Sequence, residues 1–307
     1  MNFVAIFPGQ GSQKIGMGRD FYDNSKIARE MFEKASDRLK FDFKKLLFEE
    51  NEKLELTQFS QSAILLVSSV AYKLFTQEIE AKPSFFLGHS LGEFSALCAS
   101  GAIDYLDALE LVYNRGLFMS EACEGRDVGM MALLGLSDEK TEDLVNSAQK
   151  EGKKIWAANY NCDGQIVIAG EKRDLTQMEP IFKNSGAKRA ILLNMSVASH
   201  CPILQQAREK LSPYLKEFIK DEFDAPIIAN INAKTYSSKE VAIESLSQQL
   251  VSPVLYKQSI KNVENETDRF IEFGGAVLKG INRKITKKET ISIIDMSSLQ
   301  KAVESIK

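Results

Sequence analysis

The pattern of apolar and polar positions alternates between short apolar runs and longer stretches with helical spacing. The first apolar run, 2–7, predicts a strand, and apolar residues at every fourth position over 27–39 predict an amphipathic helix. A longer apolar run, 63–75, predicts a buried helix. Strands that alternate with helices in this way are typical of an α/β fold built on a parallel sheet.

A second strand is predicted at 84–87, and a glycine-containing turn joins it directly to a helix over 91–100. Gly101 is suited to end that helix, because glycine readily adopts the left-handed conformation found after helices. Asp104 is placed to cap the next helix, which extends to about Cys123. This strand-turn-helix unit belongs to the same α/β body as the first strand.

The pattern changes after Gly125. The predicted elements are a strand at 129–136, a helix at 137–150, strands at 154–159 and 165–169, a helix at 173–184 and a strand at 188–193. This β-α-β-β-α-β order is that of a ferredoxin-like unit. We therefore predict a hydrolase-like α/β catalytic body with a parallel sheet, made of 1–125 and 198–307, and an inserted ferredoxin-like subdomain at 126–197.

Composition and charge exclude several classes of protein. The net charge of −3 argues against non-specific nucleic-acid binding, which needs an excess of lysine and arginine. No segment approaches the roughly 18 apolar residues that span a bilayer, and the start predicts a strand rather than a signal peptide. We expect no nucleic acid, no membrane and a cytoplasmic location. The cysteines form no C-x-x-C pair, so neither a disulfide framework nor a zinc site is predicted.

Gly88-His89-Ser90-Leu91-Gly92 matches the G-x-S-x-G nucleophile elbow. The match lies between a predicted strand and a predicted helix, where the elbow requires a sharp turn with a strained, exposed serine. The helix N-terminus favours negative charge that develops there, and the backbone N–H of Leu91 is one expected oxyanion donor. A chance glycine turn is the alternative, but this context favours Ser90 as a nucleophile.

A serine nucleophile needs a base, and the chain has 2 histidines. His89 adjoins Ser90, so its side chain should project away. His200 precedes Pro202 and a predicted helix, whose N-terminus would help to keep the imidazole neutral. We predict His200 as the base, with an ordinary structural histidine as the alternative. No acid completes a triad convincingly, because Asp163 and Asp174 fall in the predicted subdomain and are expected to be solvated.

Several separated segments occur together in the order found in one enzyme family. They are Phe7–Gln13, Gly88–Glu93, Arg115-Gly116 with Met119, Asn161 through Gly170, Ser199-His200, and Gln249-Leu250 with Pro253-Val254. On these motifs, which cover nearly the whole chain, the sequence resembles the malonyl-CoA:acyl carrier protein transacylases. Two departures replace a usual proline, by Ser62 in one segment and by Gly275 in another, and neither touches the nucleophile, base or arginine.

The resemblance implies transfer of a malonyl group from malonyl-CoA to the phosphopantetheine thiol of acyl carrier protein, through a malonyl-Ser90 intermediate, for fatty acid biosynthesis. It implies the backbone N–H of Gln10 as the second oxyanion donor and the main-chain carbonyl of Gln249 as the partner of His200. Coenzyme A and phosphopantetheine enter as parts of substrates, so no cofactor and no metal are expected. We also expect a monomer.

Arg115 accounts for the choice of acyl group in this interpretation. A guanidinium can hold the malonyl carboxylate with two parallel hydrogen bonds, and acetyl offers no carboxylate. Met119, Asn161 and Gln61 are expected to line the pocket, with ordinary structural roles as the alternative for the two amides. Leu91 resembles the malonyl-selective form of related acyltransferases, so methylmalonyl should be disfavoured.

Acyl carrier proteins are typically acidic, so a basic surface should steer the partner. The candidate patches are Lys188-Arg189 and Arg283-Lys284 with Lys287-Lys288, and solvated surface charge is the alternative for each. Two other functions remain possible at this point. An α/β-hydrolase such as a thioesterase would need an acid behind the histidine and no Arg115, whereas a carrier-binding scaffold would need no reactive serine.

Overall fold

The computed structural model describes residues 2–306; Met1 and Lys307, the ends of the predicted catalytic body, lie outside the described residues. The strands are β1 (Phe3–Phe7), β2 (Phe85–Gly88), β3 (Val128–Leu134), β4 (Ile155–Cys162), β5 (Gln165–Glu171), β6 (Arg189–Leu192), β7 (Ile227–Ile228), β8 (Thr235–Tyr236), β9 (Arg269–Phe273) and β10 (Glu289–Ile293). The α-helices are α1 (Arg19–Asn24), α2 (Lys26–Leu39), α3 (Phe43–Phe48), α4 (Thr57–Glu78), α5 (Leu91–Ala99), α6 (Tyr105–Ala122), α7 (Asp138–Lys150), α8 (Lys172–Asn184), α9 (Gln205–Phe218), α10 (Lys239–Gln249), α11 (Tyr256–Val263), α12 (Val277–Asn282) and α13 (Met296–Glu304).

The main sheet has the order β10-β9-β1-β2-β7-β8, with parallel pairing except between β7 and β8. Strand β1 is central and fully buried. Its alternate residues join two different cores: Phe3 and Phe7 face α4 and α5, whereas Val4 and Ile6 face α11. Since β1 and β2 are parallel, their carboxyl ends meet at one edge, where Phe7 pairs with Gly88.

The second sheet has the order β4-β5-β3-β6 and is antiparallel throughout. Helices α7 and α8 pack on it, and its apolar residues form a core separate from that of the main sheet. The α/β fold class with a second, ferredoxin-like sheet is therefore confirmed.

The small sheet is attached to the body beside the carboxyl edge of β2. The Tyr160 N–H donates to the Val254 carbonyl over 2.9 Å, and the Val254 N–H donates to Ala158 over 2.8 Å. Lys257 adds ion pairs with Asp138 and, at 3.1 Å, with Asp163. Asp163 is largely exposed, as predicted, but it also ties the two parts of the chain together.

Two local features differ from the sequence prediction or extend it. Asp104 precedes α6 without capping it through its side chain, because the carboxylate pairs with Lys220 at 2.7 Å instead. The buried helix predicted at 63–75 begins earlier, at Thr57. Across residues 2–306, no helix combines the length and apolar character needed to cross a membrane.

Candidate active site

The turn between β2 and α5 holds Ser90 in a strained conformation. Ser90 has φ 54° and ψ −109°, a region that residues with a side chain rarely adopt. The flanking glycines are required by close backbone contacts: a Cβ on Gly88 would lie 1.8 Å from the carbonyl carbon of Gly92, and one on Gly92 would lie 2.0 Å from the Phe7 oxygen. The Ser90 N–H donates to Asn230 Oδ1 over 2.8 Å, which holds the turn from the opposite side.

His200 lies against the serine hydroxyl, with Nε2 2.8 Å from Ser90 Oγ. Its Nδ1 lies 2.7 Å from the main-chain oxygen of Gln249. Because a carbonyl can only accept, Nδ1 carries the proton and Nε2 is left with the lone pair that a base needs. In the part of the chain that the structure describes, neither ring nitrogen contacts a carboxylate, so the arrangement is a Ser-His dyad rather than the triad that an α/β-hydrolase requires.

Burial keeps the His200 imidazole neutral. Burial and the nearby charge of Arg115 lower its pKa to about 3, although the Gln249 hydrogen bond acts in the opposite direction. The sequence interpretation expected a following helix N-terminus to contribute to this neutrality. In the structure the 3₁₀ turn Pro202–Leu204 leads directly into α9, and the loss of hydration is the largest cause.

The second histidine is directed elsewhere. His89 Nε2 lies 2.7 Å from Asn161 Oδ1, on the subdomain side of the cleft. Burial lowers the pKa of His89 as well. His89 therefore links the nucleophile turn to strand β4, and the structure gives it no contact with the Ser90 hydroxyl.

Gln10 and Leu91 lie on the same pocket as Ser90. Among residues 2–306, neither backbone N–H has a hydrogen-bond acceptor within the protein. Free N–H groups beside a nucleophile are what an oxyanion hole requires. The structure thus brings together the two residues whose main-chain donors the sequence interpretation selected.

Arg115, on α6, is buried to 1 % exposure beside the nucleophile. Its Nη1 donates to Gln61 Oε1 over 2.7 Å, and its Nη2 donates to Gln249 Oε1 over 2.9 Å and to Ser90 Oγ over 3.2 Å. Within residues 2–306 the Nε atom has no acceptor. The acceptors of Nη1 and Nη2 are uncharged, so no carboxylate of the described residues contacts the buried guanidinium.

That environment makes the Arg115 charge costly. Burial lowers the pKa of the guanidinium to about 9, and the carboxylate of Glu93 acts in the opposite direction. The ring of Phe94 lies 5.0 Å below the guanidinium carbon and contributes a cation–π contact. A ligand carboxylate would be the strongest available partner for this charge.

The cavity beside Ser90 is small, about 160 Å³. It is lined by Gln10, His89, Ser90, Leu91, Arg115, Met119, Met130, Asn159, Asn161, Val167, Leu193, Met195, Ser199 and His200. Of the predicted pocket residues, Met119 and Asn161 line it, whereas Gln61 and Gln249 lie behind Arg115 and position it. A larger cavity of about 900 Å³ lies between α2, α4 and the start of α6, and contains none of these site residues.

Sequence reasoning missed two residues of the site. Glu93 is fully buried one turn after Ser90, and burial raises the pKa of its carboxyl to about 7. Its sequence signal is a lone carboxylate in the otherwise apolar helix α5. Asn230 holds the elbow through its side chain, donating to the Gly88 oxygen over 2.7 Å, and nothing near it in sequence indicates this role. Within residues 2–306, no three His, Cys, Asp or Glu side chains cluster as metal ligands do.

Comparisons with known proteins agree with this site. Residues 4–292 match the family model described as an acyl transferase domain. The chain is 37% identical over 306 residues to the malonyl CoA-acyl carrier protein transacylase of Bacillus subtilis, covering 98% of this chain and 96% of that one. The corresponding protein of Staphylococcus aureus is 36% identical over 292 residues, which are 94% of each chain.

Solved structures give the same result. The crystal structure of malonyl-CoA:acyl carrier protein transacylase from Helicobacter pylori superposes with a TM-score of 0.96 at 46% identity, covering 100% of this chain and 98% of that chain. A malonyl-transacylase in complex with its type II polyketide synthase acyl-carrier protein superposes with a TM-score of 0.95 at 32% identity, covering 99% of this chain and 100% of that one.

Proposed function

Since the chain belongs to the acyl transferase family, with malonyl-CoA:acyl carrier protein transacylases as its relatives, we propose that it transfers the malonyl group of malonyl-CoA to the phosphopantetheine thiol of acyl carrier protein. The product, malonyl-acyl carrier protein, supplies fatty acid biosynthesis. The family suggested by the sequence motifs is confirmed.

The first half of the reaction acylates the serine. Ser90 Oγ attacks the thioester carbonyl carbon while His200 Nε2 accepts the hydroxyl proton. The tetrahedral oxyanion is stabilised by the backbone N–H groups of Gln10 and Leu91, each contributing on the order of 3 kcal/mol. The carbon–sulfur bond then breaks, coenzyme A leaves as a thiol with the proton held by His200, and Ser90 carries a malonyl ester.

The second half repeats these steps with another thiol. The phosphopantetheine thiol of the carrier protein gives its proton to His200 and attacks the malonyl ester. Collapse of the intermediate returns the proton to Ser90 Oγ and releases malonyl-acyl carrier protein. The main-chain oxygen of Gln249 holds the imidazole in the required tautomer throughout. A carbonyl is a weaker partner than a carboxylate, and it suffices because a thiolate is a good leaving group.

The observation that carries the malonyl assignment is the buried Arg115 guanidinium in contact with Ser90. Its acceptors are uncharged, so a malonyl carboxylate would supply the missing anion. Acetyl would leave the charge uncompensated, which disfavours it by several kcal/mol. Leu91, next to the serine, matches the malonyl-selective form of related acyltransferases, and on that resemblance methylmalonyl is disfavoured.

We propose that the reaction uses no resident cofactor or metal, because the chain itself supplies the nucleophile, base and oxyanion donors. We further propose a monomer acting in the cytoplasm. Sedimentation at working concentration should give a mass near 34.3 kDa, and a stable dimer would contradict this.

The basic residues Arg283, Lys284, Lys287 and Lys288 are the better supported of the two carrier docking patches. They surround a surface cavity of about 490 Å³ whose lining has a single carboxylate, that of Glu264. Helix α12, which ends at Asn282 just before this patch, packs against strand β4, which brings Asn161 to the pocket.

The test of the proposed function is the intact mass of the protein after brief exposure to malonyl-CoA, with acetyl-CoA and Ser90→Ala as controls. We expect a malonyl adduct that the variant lacks and that acyl carrier protein discharges. Steady accumulation of malonate without an acceptor would instead identify a hydrolase. The absence of both adduct and malonate would favour a carrier-binding scaffold.

Charge reversal tests the carrier patch. Lys284→Glu with Lys287→Glu should raise the Michaelis constant for the carrier protein and leave acylation by malonyl-CoA unchanged. Lys188→Glu with Arg189→Glu is the matched control at the other candidate patch. If only the control variant raises the Michaelis constant for the carrier protein, the docking surface lies at Lys188 and Arg189, at the start of β6, instead.

A further inference from the structure

Glu93 is a buried carboxylate that the mechanism leaves without a role. It is fully buried, and its hydrogen-bond donors are uncharged: the Asn230 N–H at 3.1 Å, the Tyr236 hydroxyl at 3.2 Å and the Gln249 side-chain amide at 2.7 Å. A carboxylate at this depth without a cation in contact is costly to bury. A buried carboxylate of this kind is expected where its charge or its hydrogen bonds hold other residues of the active site in position.

Gln249 connects Glu93 to the rest of the site. Its Nε2 donates to Glu93 Oε2, while its Oε1 accepts from Arg115 Nη2 over 2.9 Å. The same Nε2 donates to the main-chain oxygen of Ser90 over 3.0 Å. One amide thus lies between the two buried charges, with its donor towards the carboxylate and its acceptor towards the guanidinium.

The direction of this amide is fixed by three neighbours. The Glu93 carboxylate and the Ser90 carbonyl only accept hydrogen bonds, so Nε2 faces them, and Arg115 only donates, so Oε1 faces the guanidinium. If position 93 carries no charge, its hydrogen bond from Nε2 loses the strength that the charge provides. The restraint on the Gln249 acceptor that aims Arg115 at the pocket would then weaken.

We propose that Glu93 is a positioning residue which, through the side chain of Gln249, holds Arg115 in the orientation that binds the malonyl carboxylate. This inference rests on the proposed function, and Glu93 itself contacts no substrate. The opposite charges of Glu93 and Arg115 also support this role. Burial lowers the pKa of Arg115, and the negative charge of Glu93 raises it, which favours the charged guanidinium.

The test is the rate of Ser90 acylation by malonyl-CoA and by acetyl-CoA, followed by rapid quenching and intact mass. Glu93→Gln should lower the malonyl rate by about tenfold, the effect of losing one charge-assisted hydrogen bond, and leave the acetyl rate within about twofold. Glu272→Gln is the matched control, because Glu272 is also fully buried but accepts from Leu278, Lys279 and Ser292, outside the site. It should leave the ratio of the two rates unchanged.

A double variant tests whether Glu93 acts through Gln249. If it does, Glu93→Gln should add nothing to the loss of malonyl preference caused by Gln249→Leu. Equal losses of the malonyl and acetyl rates in Glu93→Gln, or no loss in either, would overturn the proposal. A wild-type protein that forms no malonyl adduct would contradict the proposed function instead.

The wild-type protein supplies a readout that needs no folded variant. Three other titratable groups lie near Glu93. The pKa of Arg115 is about 9, that of Tyr236 is well above 10, and that of His200 is about 3. Glu93, at about 7, is therefore the group of this set that titrates between pH 6 and 8. The malonyl to acetyl ratio should fall as the pH falls through about 7, because a protonated Glu93 carboxyl holds the Gln249 amide less strongly than the carboxylate does. A ratio that stays flat over this range would also overturn the proposal.

Discussion

Nη2 of Arg115 lies 3.2 Å from Oγ of Ser90, so the proposed carboxylate-binding group contacts the nucleophile itself. The position of the guanidinium limits how far the carboxylate of an acyl group can lie from the ester carbon. In malonyl a single methylene separates the two carbonyl carbons. In the proposed reaction, the acyl group would therefore be selected at the place where the acyl-enzyme forms.

Removal of the Arg115 guanidinium should reverse the choice of acyl group. Arg115→Ala should lower Ser90 acylation by malonyl-CoA about 100-fold, because the carboxylate loses its charged partner, and should leave acetyl-CoA equal or faster. The measurement is the adduct mass against time with each thioester. Arg126→Ala, which removes an exposed arginine paired with Glu171, is the control and should change neither rate. Equal losses with both thioesters would contradict this role.

Acyl length should matter as much as acyl charge. Succinyl-CoA also ends in a carboxylate but carries one more methylene, which the contact between Ser90 and Arg115 does not accommodate. We expect its acylation of Ser90 to be at least about tenfold slower than that of malonyl-CoA. A competition experiment with both thioesters and mass detection measures the ratio of the succinyl and malonyl adducts directly. Equal amounts of the two adducts would show that the pocket does not discriminate between acyl groups by length.

His200 should remain neutral at mildly acid pH. Burial brings its pKa to about 3, so it should take up no proton between pH 5 and 8. Nitrogen NMR of this imidazole at pH 5.5 should show a neutral ring, with the proton on Nδ1, where it donates to Gln249. A titration midpoint near 6.5, the value of an unperturbed histidine, would contradict the burial argument.

The elbow glycines should be intolerant of a methyl group. Gly92→Ala would place a Cβ 2.0 Å from the Phe7 oxygen, and we expect it to reduce the free energy of unfolding by about 3 kcal/mol. Ser90 acylation should be lost with it. Gly280→Ala is the control, because nothing lies within 4 Å of its Cβ position and α12 should gain about 0.5 kcal/mol. Thermal or denaturant unfolding compares the two variants, and similar stability would contradict the close approach of α5 and β1.

Local chemistry made much of this protein predictable from its sequence. The strand-turn-helix unit around Ser90 and the β-α-β-β-α-β unit follow from apolar periodicity and from glycines near in sequence, because secondary structure responds to neighbouring residues. The scarcity of histidines selected His200, and six motifs in order indicated the family. The main cause of its neutral imidazole was not predicted, because burial is a property of the packed core and not of a sequence neighbour.

Tertiary structure alone decided which side chains share the site and what each contacts. Arg115 and Gln249 are 134 positions apart, and Glu93 and Gln249 are 156 apart, yet one amide joins all three. No local pattern encodes such contacts, since they form when the chain closes long loops and several elements pack together. The sequence by itself therefore determined the fold class and predicted the nucleophile and the base. Tertiary packing decided that Arg115 and Glu93 are buried beside these residues. Burial, and contacts between residues so far apart in sequence, exist only in the folded chain.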